Sequence, residues 1–274
     1  MFVDLSGKTA IVTGGGTGIG RAASLKLAAC GANVAINYRV SRDAAEETAS
    51  ECRKLGVRAA AIAADVCNDE DCRRLAAVAT VEVGTVNILV NNAAATKFVP
   101  HAQLDGLSAE DFANIFRTNV TGAYQMIRAL APGMRAAGGG AVVNVASIAG
   151  LFGGGSCSAY AASKAALINL TKTLARALAP HIRINVVCPG FVGTRWFQER
   201  FSPEDYATTM QQVANSMPLE RAASAEDIAG GIAFFCSDEA AIITGETLVM
   251  DAGAHLDLAI SRGMVGKDAP RMHP

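Results

Sequence analysis

The 274-residue chain is short of charge: 18% of its residues are Asp, Glu, Lys or Arg against 51% apolar, and the signs nearly cancel to a net −1. A nucleic-acid surface would need a basic stripe, and a disordered chain would need far more charge, so both classes are excluded. No apolar run approaches the ~20 residues that span a bilayer. The N-terminal stretch MFVDLSGKTAIVTG has neither the basic nor the apolar section of a secretory signal. Histidine is scarce too. His101, His181, His255 and His273 lie far apart with no HExxH spacing, so no metal is expected. Seven cysteines (Cys30, Cys52, Cys67, Cys72, Cys157, Cys188 and Cys236) are scattered without a CxxC pair, which fits reduced thiols in a cytoplasmic protein. Cys157 lies three residues before Tyr160, but nothing in the sequence supplies the paired histidine that a cysteine nucleophile needs.

What is present is a rhythm. Short β-rich runs at 9–13, 34–38, 58–65, 86–91, 141–147, 182–188 and 247–251 alternate with helical patterns around 18–29, 41–55, 69–83, 108–136, 158–179 and 224–237. Several of the strand runs are almost continuously apolar, as parallel strands covered on both faces are. Ser41 and Ser224 are placed as N-caps and Gly56 as a helix stop. This alternation predicts an α/β fold, a doubly wound parallel sheet with right-handed crossovers. No linker or low-complexity block divides residues 1–274, so one domain is expected. The segment 194–216 breaks the rhythm and reads as an inserted substrate flap, and the tail from about residue 260 to 274 is expected to be flexible.

Two stretches carry chemistry. In TAIVTGGGTGIGRAASLKLA (9–28) a strand runs through a glycine turn into a helix, with Gly14, Gly18 and Gly20 in a GxxxGxG spacing. Glycine lets the backbone turn tightly and lets a pyrophosphate reach the N–H groups at the helix start. Read alone the glycines could mark a mere turn; between a strand and a helix they favour a dinucleotide. In such sites a carboxylate at the end of the second strand bonds the ribose 2′-hydroxyl. Here Tyr38 and Arg39 occupy that place, with Ser41 and Arg42 close behind. An arginine attracts the 2′-phosphate that a carboxylate would repel, so NADP(H) is expected over NAD(H), which stays possible. The alternative is that Arg39 is a solvated residue at a strand end. The second stretch, SAYAASKAAL (158–167), sets Tyr160 and Lys164 one helical turn apart in a run of small residues. Such a pair is more often a surface contact than a catalytic unit.

Taken together, the motifs make the chain resemble the short-chain dehydrogenase/reductase family from Lys8 to about Gly253. TGGGTGIG (13–20) is similar to its TGxxxGIG motif, NNAA (91–94) to its NNAG with Ala94 in place of glycine, and RTNVTG (117–122) holds its helix asparagine, Asn119. NVASIAG (144–150) supplies Ser147, YAASK (160–164) is YxxxK, and CPGFVGT (188–194) resembles the segment that closes over nicotinamide. The resemblance implies a Rossmann-type sheet of seven strands and a homo-oligomer, tetramer or dimer, with contacts through helices 108–136 and 158–179.

It also implies roles. Tyr160 is the general acid in reduction and the base in oxidation; a phenol near pKa 10 needs help, and Lys164 is expected to lower that value while holding the nicotinamide ribose. Ser147 hydrogen-bonds the substrate oxygen, and Asn119 holds a water that links Lys164 to solvent. Cofactor contacts carried over by position are Gly16, Thr17 and Ile19 in the turn, Asp65 and Val66 after the third strand, and Asn91 and Ala93 after the fourth. Tyr160, Lys164, Pro189, Gly190, Val192 and Thr194 border the nicotinamide. The function expected is hydride transfer between nicotinamide and a carbonyl or secondary alcohol, as in 3-oxoacyl-carrier-protein reductases that act on a thioester. Two alternatives stay open: an NAD-dependent alcohol or sugar dehydrogenase, and a non-catalytic dinucleotide sensor on the same scaffold. The intact Asn119–Ser147–Tyr160–Lys164 set argues against the sensor. Leu151, Phe152, Trp196 and Phe197 predict a partly apolar pocket; Arg195 and Arg200, with Glu199 and Glu204 beside them, are a thin basis for docking a carrier protein.

Overall fold

Strands that are apolar at every position need cover on both faces, and the sheet is built to give it. The computed structural model describes residues 3–193 and 202–256. Its strands are β1 (Thr9–Val12), β2 (Asn33–Tyr38), β3 (Ala59–Ala63), β4 (Ile88–Asn91), β5 (Gly140–Val145), β6 (Ile182–Pro189) and β7 (Thr247–Met250). They form one seven-stranded sheet in the order β3-β2-β1-β4-β5-β6-β7, every pair parallel.

Side chains alternate across a strand, and two cores follow from that period. Ala10 and Val12 of β1, Val34 and Ile36 of β2, and Ile88 and Val90 of β4 pack in one core. It is covered by α1 (Gly18–Ala29), α2 (Arg42–Lys54) and α9 (Ala225–Cys236). Ile11, Ala35 and Leu89 point the other way, into a core closed by α3 (Asp69–Glu82), α5 (Ala123–Ala136) and the end of α7 (Ser158–Leu178). Ile11, Ile36, Leu89 and Ile184 are fully buried, and each contributes roughly 1.5–3 kcal/mol of burial. The result is a Rossmann-type α/β domain. Its function depends on one consequence: β1 and β4 are neighbours, so the chain winds outward in both directions from the line between them.

Local signals set the helix ends. Ser224 closes a capping box with Asp227 at the start of α9, and Ser108 does the same with Asp111 for α4 (Ala109–Phe116). Ser41 stands at the N-cap of α2 but makes no capping bond with its side chain. The helix expected over 108–136 is continuous, yet it is not uniform. Between α4 and α5 the turn Arg117–Gly122 widens to π spacing, and Asn119 lies inside it. Such widened turns favour functional positions because they re-aim side chains that a regular helix would misplace. Gly122 is required there, since a Cβ would meet Val66 at 2.9 Å. The remaining α-helices among the described residues are the four-residue α6 (Ala149–Phe152) and α8 (Pro203–Ser216). Among the described residues no helix is long and apolar enough to cross a membrane.

Candidate active site

Where the strand order reverses, the crevice outside the C-terminal ends of β1 and β4 is the expected ligand site of an open α/β sheet. A cleft of about 1220 Å³ lies there. Its floor at one end is the glycine turn. Gly14 and Gly18 take positive φ, +61° and +52°, which a side chain would oppose. A Cβ on Gly16 would come within 2.8 Å of the Ala45 nitrogen, so glycine lets α2 crowd the turn. Thr17 makes no side-chain cap on α1, and the first turn of α1 holds no acidic residue. The helix start therefore offers uncapped N–H groups and no competing carboxylate, which suits a pyrophosphate.

Gly14, Gly16, Thr17, Gly18, Ile19, Tyr38, Arg39, Ser41, Asp65, Val66 and Ala93 all line this cleft, as do Ser147, Tyr160, Lys164, Pro189, Gly190 and Val192. Two expected contacts fall elsewhere. Gly20 is packed under the turn, where a Cβ would stand 2.2 Å from the Gly14 carbonyl oxygen, so its part is to let helix and turn close up. Asn91 is buried in the sheet, its Nδ2 donating to Asn144 Oδ1 at 2.9 Å. It is the last residue of β4 and points between strands and α5, away from the cleft wall. Thr194 lies outside the described residues, together with Arg195, Trp196, Phe197, Glu199 and Arg200. The remainder of the expected flap is α8, which lies against Gly193; a Cβ there would meet Tyr206 Oη at 2.6 Å.

The asparagine that faces the cleft is the next one. Asn92 lines the cleft, and its Nδ2 donates to the carbonyls of Thr13 at 2.9 Å and Gly14 at 3.2 Å. Thr13 Oγ1 in turn accepts from the backbone N–H of Asn92 and Ala93 at 2.9 and 3.0 Å. Asn37 braces the other side, its Nδ2 donating to Ala64 O at 3.0 Å and its Oδ1 accepting from Gly14 N at 3.4 Å. The signal that finds Asn92 is the strand period: with Asn91 pointing into the sheet, the neighbour must face the other way. Ala94 also lines the cleft. It is not among the described non-glycine residues with positive φ, which are Glu220 and Ala252, so alanine replaces glycine there without backbone strain.

At the other end, α7 presents Tyr160 and Lys164. Both are held in place by what lies beneath them. Cys157 is the N-cap of α7, its sulfur accepting from Tyr160 N at 3.4 Å. Lys164 is 2% exposed, and its Nζ donates to Val145 O at 2.8 Å and stands 5.5 Å from the centre of the Tyr160 ring. The Ser147 hydroxyl, two residues past β5, is paired with the Tyr160 phenol and favours its ionised form. Burial decides the electrostatics. It pushes the Tyr160 phenol up from 10.0 to about 12, against the Ser147 bond that lowers it. The Lys164 ammonium is pushed down from 10.5 to about 8 by the same cause. Lys164 is not among the causes that set the Tyr160 value, of which burial, the largest, raises it, so the lowering expected from Lys164 does not show in the site as it stands.

Asn119 is buried, and both of its amide donors are used. Oδ1 accepts from Ala95 N at 2.7 Å, while Nδ2 donates to Ala95 O at 3.0 Å and Ser163 Oγ at 2.9 Å. An amide has two donors, and both are taken, so this side chain ties the loop after β4 to α7 and leaves a water only the second lone pair of Oδ1. The wall near Tyr160 is formed by Thr96, Phe98, Val99, Gly155, Ser156 and Phe191. Leu151 and Phe152, expected there, do not line it. Phe152 turns outward just before Gly153 (φ +76°) and stacks on His255 at 6.0 Å between ring centroids.

With this geometry in view, comparison with known proteins is direct. The family model described as "Enoyl-(Acyl carrier protein) reductase" matches residues 14–255. The chain is 38% identical over 256 residues to an L-rhamnose 1-dehydrogenase (NAD(P)(+)) of Sphingomonas sp. (strain SKA58), covering 93% of this chain and 98% of that protein. It is 36% identical over 250 residues to a 3-oxoacyl-(acyl-carrier-protein) reductase of Staphylococcus epidermidis, covering 91% and 99%. Among solved structures, a short-chain type dehydrogenase/reductase from Mycobacterium marinum superposes with TM-score 0.80 at 33% identity, covering 92% of this chain and 96% of that one. An NAD⁺-bound xylitol dehydrogenase superposes at 0.82 with 32% identity, covering 91% and 99%.

Proposed function

This chain belongs to the short-chain dehydrogenase/reductase family, an enzyme family acting on CH–OH or carbonyl groups with NAD(P), and from that premise we propose that it reduces a carbonyl compound to a secondary alcohol with NADPH. The observation that carries the reading is that the glycine turn and the Ser147–Tyr160–Lys164 group line one continuous cleft. A dinucleotide bound along it supplies hydride at carbon. Tyr160 supplies the proton at oxygen, Ser147 redirects its hydroxyl from the phenol to the carbonyl and stabilises the developing charge. Lys164 keeps a buried positive charge beside the phenol and reaches the ribose. Asn119 holds the loop and helix in register. Arg39, at the cleft edge, is the anchor for a 2′-phosphate.

The wall around Thr96, Phe98, Val99, Ser156 and Phe191 mixes two hydroxyls with apolar surface, which supports a carbonyl flanked by apolar groups, 3-oxoacyl thioesters included. An oxidative role on a sugar or polyol, as the names of two relatives suggest, is the second reading, favoured by the same pair of hydroxyls. The reading also has the chain work as a homo-oligomer in the cytoplasm; its seven cysteines are all free thiols, which supports a reducing compartment. The test is Tyr160→Phe assayed by loss of NADPH absorbance against a panel of ketones, aldehydes and oxoacyl thioesters. Turnover should fall by about a thousandfold while the NADPH Kd stays within about twofold. A variant that keeps most of its rate, or a wild type that binds but turns over nothing, overturns the assignment.

A further inference from the structure

At the adenosine end of the cleft two opposite charges face each other. Arg39 Nη1, just past β2, lies 3.6 Å from Asp65 Oδ2, just past β3, and both residues line the cleft. The two partners are not held alike. Asp65 is built into its turn: Oδ1 accepts from Cys67 N at 2.9 Å, and its own N–H donates to Asp71 Oδ2 at 2.8 Å. The Arg39 side chain is 65% exposed, and its separation from the carboxylate exceeds a normal N–H···O bond. The arginine is therefore attracted to a fixed anion without being locked on it.

If Arg39 anchors a 2′-phosphate, as proposed above, that anchoring must compete with Asp65. A guanidinium drawn to the carboxylate has its charge partly offset by the anion and some of its forked donors turned away from the phosphate. A 2′-hydroxyl asks for neither, so a dinucleotide lacking the phosphate escapes the competition. We infer that Asp65 is a specificity-determining residue: it holds Arg39 back from the 2′-phosphate and keeps the cleft open to NADH as well as NADPH. An isolated arginine at the end of β2 would give a strict NADPH enzyme; an arginine tethered to a carboxylate on the next strand gives a tolerant one.

The experiment is a double-mutant cycle read by calorimetric Kd for NADPH and NADH on the intact protein. The quantity read is the ratio of the two constants, in which contacts to the shared adenine cancel. Asp65→Asn keeps an acceptor for Cys67 N–H and should raise the NADPH preference by about three- to fivefold, the scale of an exposed ion pair. Arg39→Gln should bring the ratio toward one, and adding Asp65→Asn to it should change the ratio no further. An unchanged ratio in Asp65→Asn overturns the inference, and so does an equal rise in the Arg39→Gln background, which would mean that Asp65 acts without the arginine. If Arg39→Gln itself leaves the ratio unchanged, the phosphate anchor fails, and this inference falls with it. Should the asparagine variant not fold, Asp65→Ser retains the acceptor and reads the same cycle.

Discussion

Replacing Lys164 with methionine should make the protein more stable, by an amount that depends on pH. The ammonium is buried, and burial lowers its pKa from 10.5 to about 8. That displacement corresponds to about 3 kcal/mol of penalty on the charged form. Methionine has similar length and no charge, and it sacrifices one bond, Nζ to Val145 O at 2.8 Å, worth about 1 kcal/mol. The sign follows from proton counting. Between about pH 8 and about pH 10.5 the unfolded chain keeps the lysine proton that the folded chain has released. The unfolded state then binds more protons, and wild-type stability rises with pH across that window. Below it both states are protonated and the full penalty stands.

Urea denaturation of wild type and Lys164→Met at pH 7 and pH 9.5 isolates the effect. The wild type should gain about 2 kcal/mol on the variant between the two conditions. Packing changes do not vary with pH, and Cys52, Cys72 and Cys236, whose pKa values burial raises, are not shifted by Lys164. Cys188, which the ammonium does lower, is held at about 11 by burial and stays protonated in the fold at both pH values. A stability difference that stays constant with pH would refute the reasoning, because it would mean that the ammonium is compensated in the fold. Activity should vanish in the same variant that is more stable at neutral pH, a site kept at the expense of the scaffold.

Two other substitutions probe the backbone. Ala252, past the end of β7, holds φ at +56°, and its carbonyl accepts from Leu219 N at 3.2 Å; Ala252→Gly should raise stability by about 1 kcal/mol, seen as a Tm higher by about 2–4 °C in calorimetry, and a lower Tm counts against strain at that position. A Cβ on Gly20 would meet Gly14 O at 2.2 Å and Asn92 Nδ2 at 2.5 Å; Gly20→Ala should cost about 1–3 kcal/mol and weaken NADPH binding more than tenfold, and unchanged affinity would show that the turn can yield without loss.

Much of this was legible because it is written in local spacing. Near-continuous apolar runs specify doubly covered strands, and the glycine turn between β1 and α1 marks the crevice. The Tyr160–Lys164 interval is a property of one helix, so it survives any tertiary arrangement. The rest depends on contacts between distant segments. Whether Asn91 or Asn92 faces the cleft is decided by which of them meets Asn144 across the sheet. That Asn119 has no donor left over depends on Ala95 and Ser163. The tether on Arg39 depends on β2 and β3 ending side by side, as Tyr38 opposite Ala63 shows. And the direction of the Tyr160 shift is set by how deeply the fold buries it, which no pair spacing encodes.

That direction bears on which way the enzyme runs. Burial favours the neutral form of each partner, phenol over phenolate and amine over ammonium, and it moves their pKa values apart. Both still lie above neutrality, at about 12 and about 8, so the pair rests as phenol and ammonium near pH 7. A phenol that keeps its proton is an acid ready for the alkoxide that forms as hydride arrives. It is not a base ready to take a proton from an alcohol: emptying it at pH 7 costs about 7 kcal/mol in the site as it stands. Reduction can start from the resting protonation state, whereas oxidation must first find a counter-charge larger than the one Lys164 provides from 5.5 Å while bonded to Val145. The resting protonation of Tyr160 thus supports the proposed reduction, in which the phenol acts as the acid.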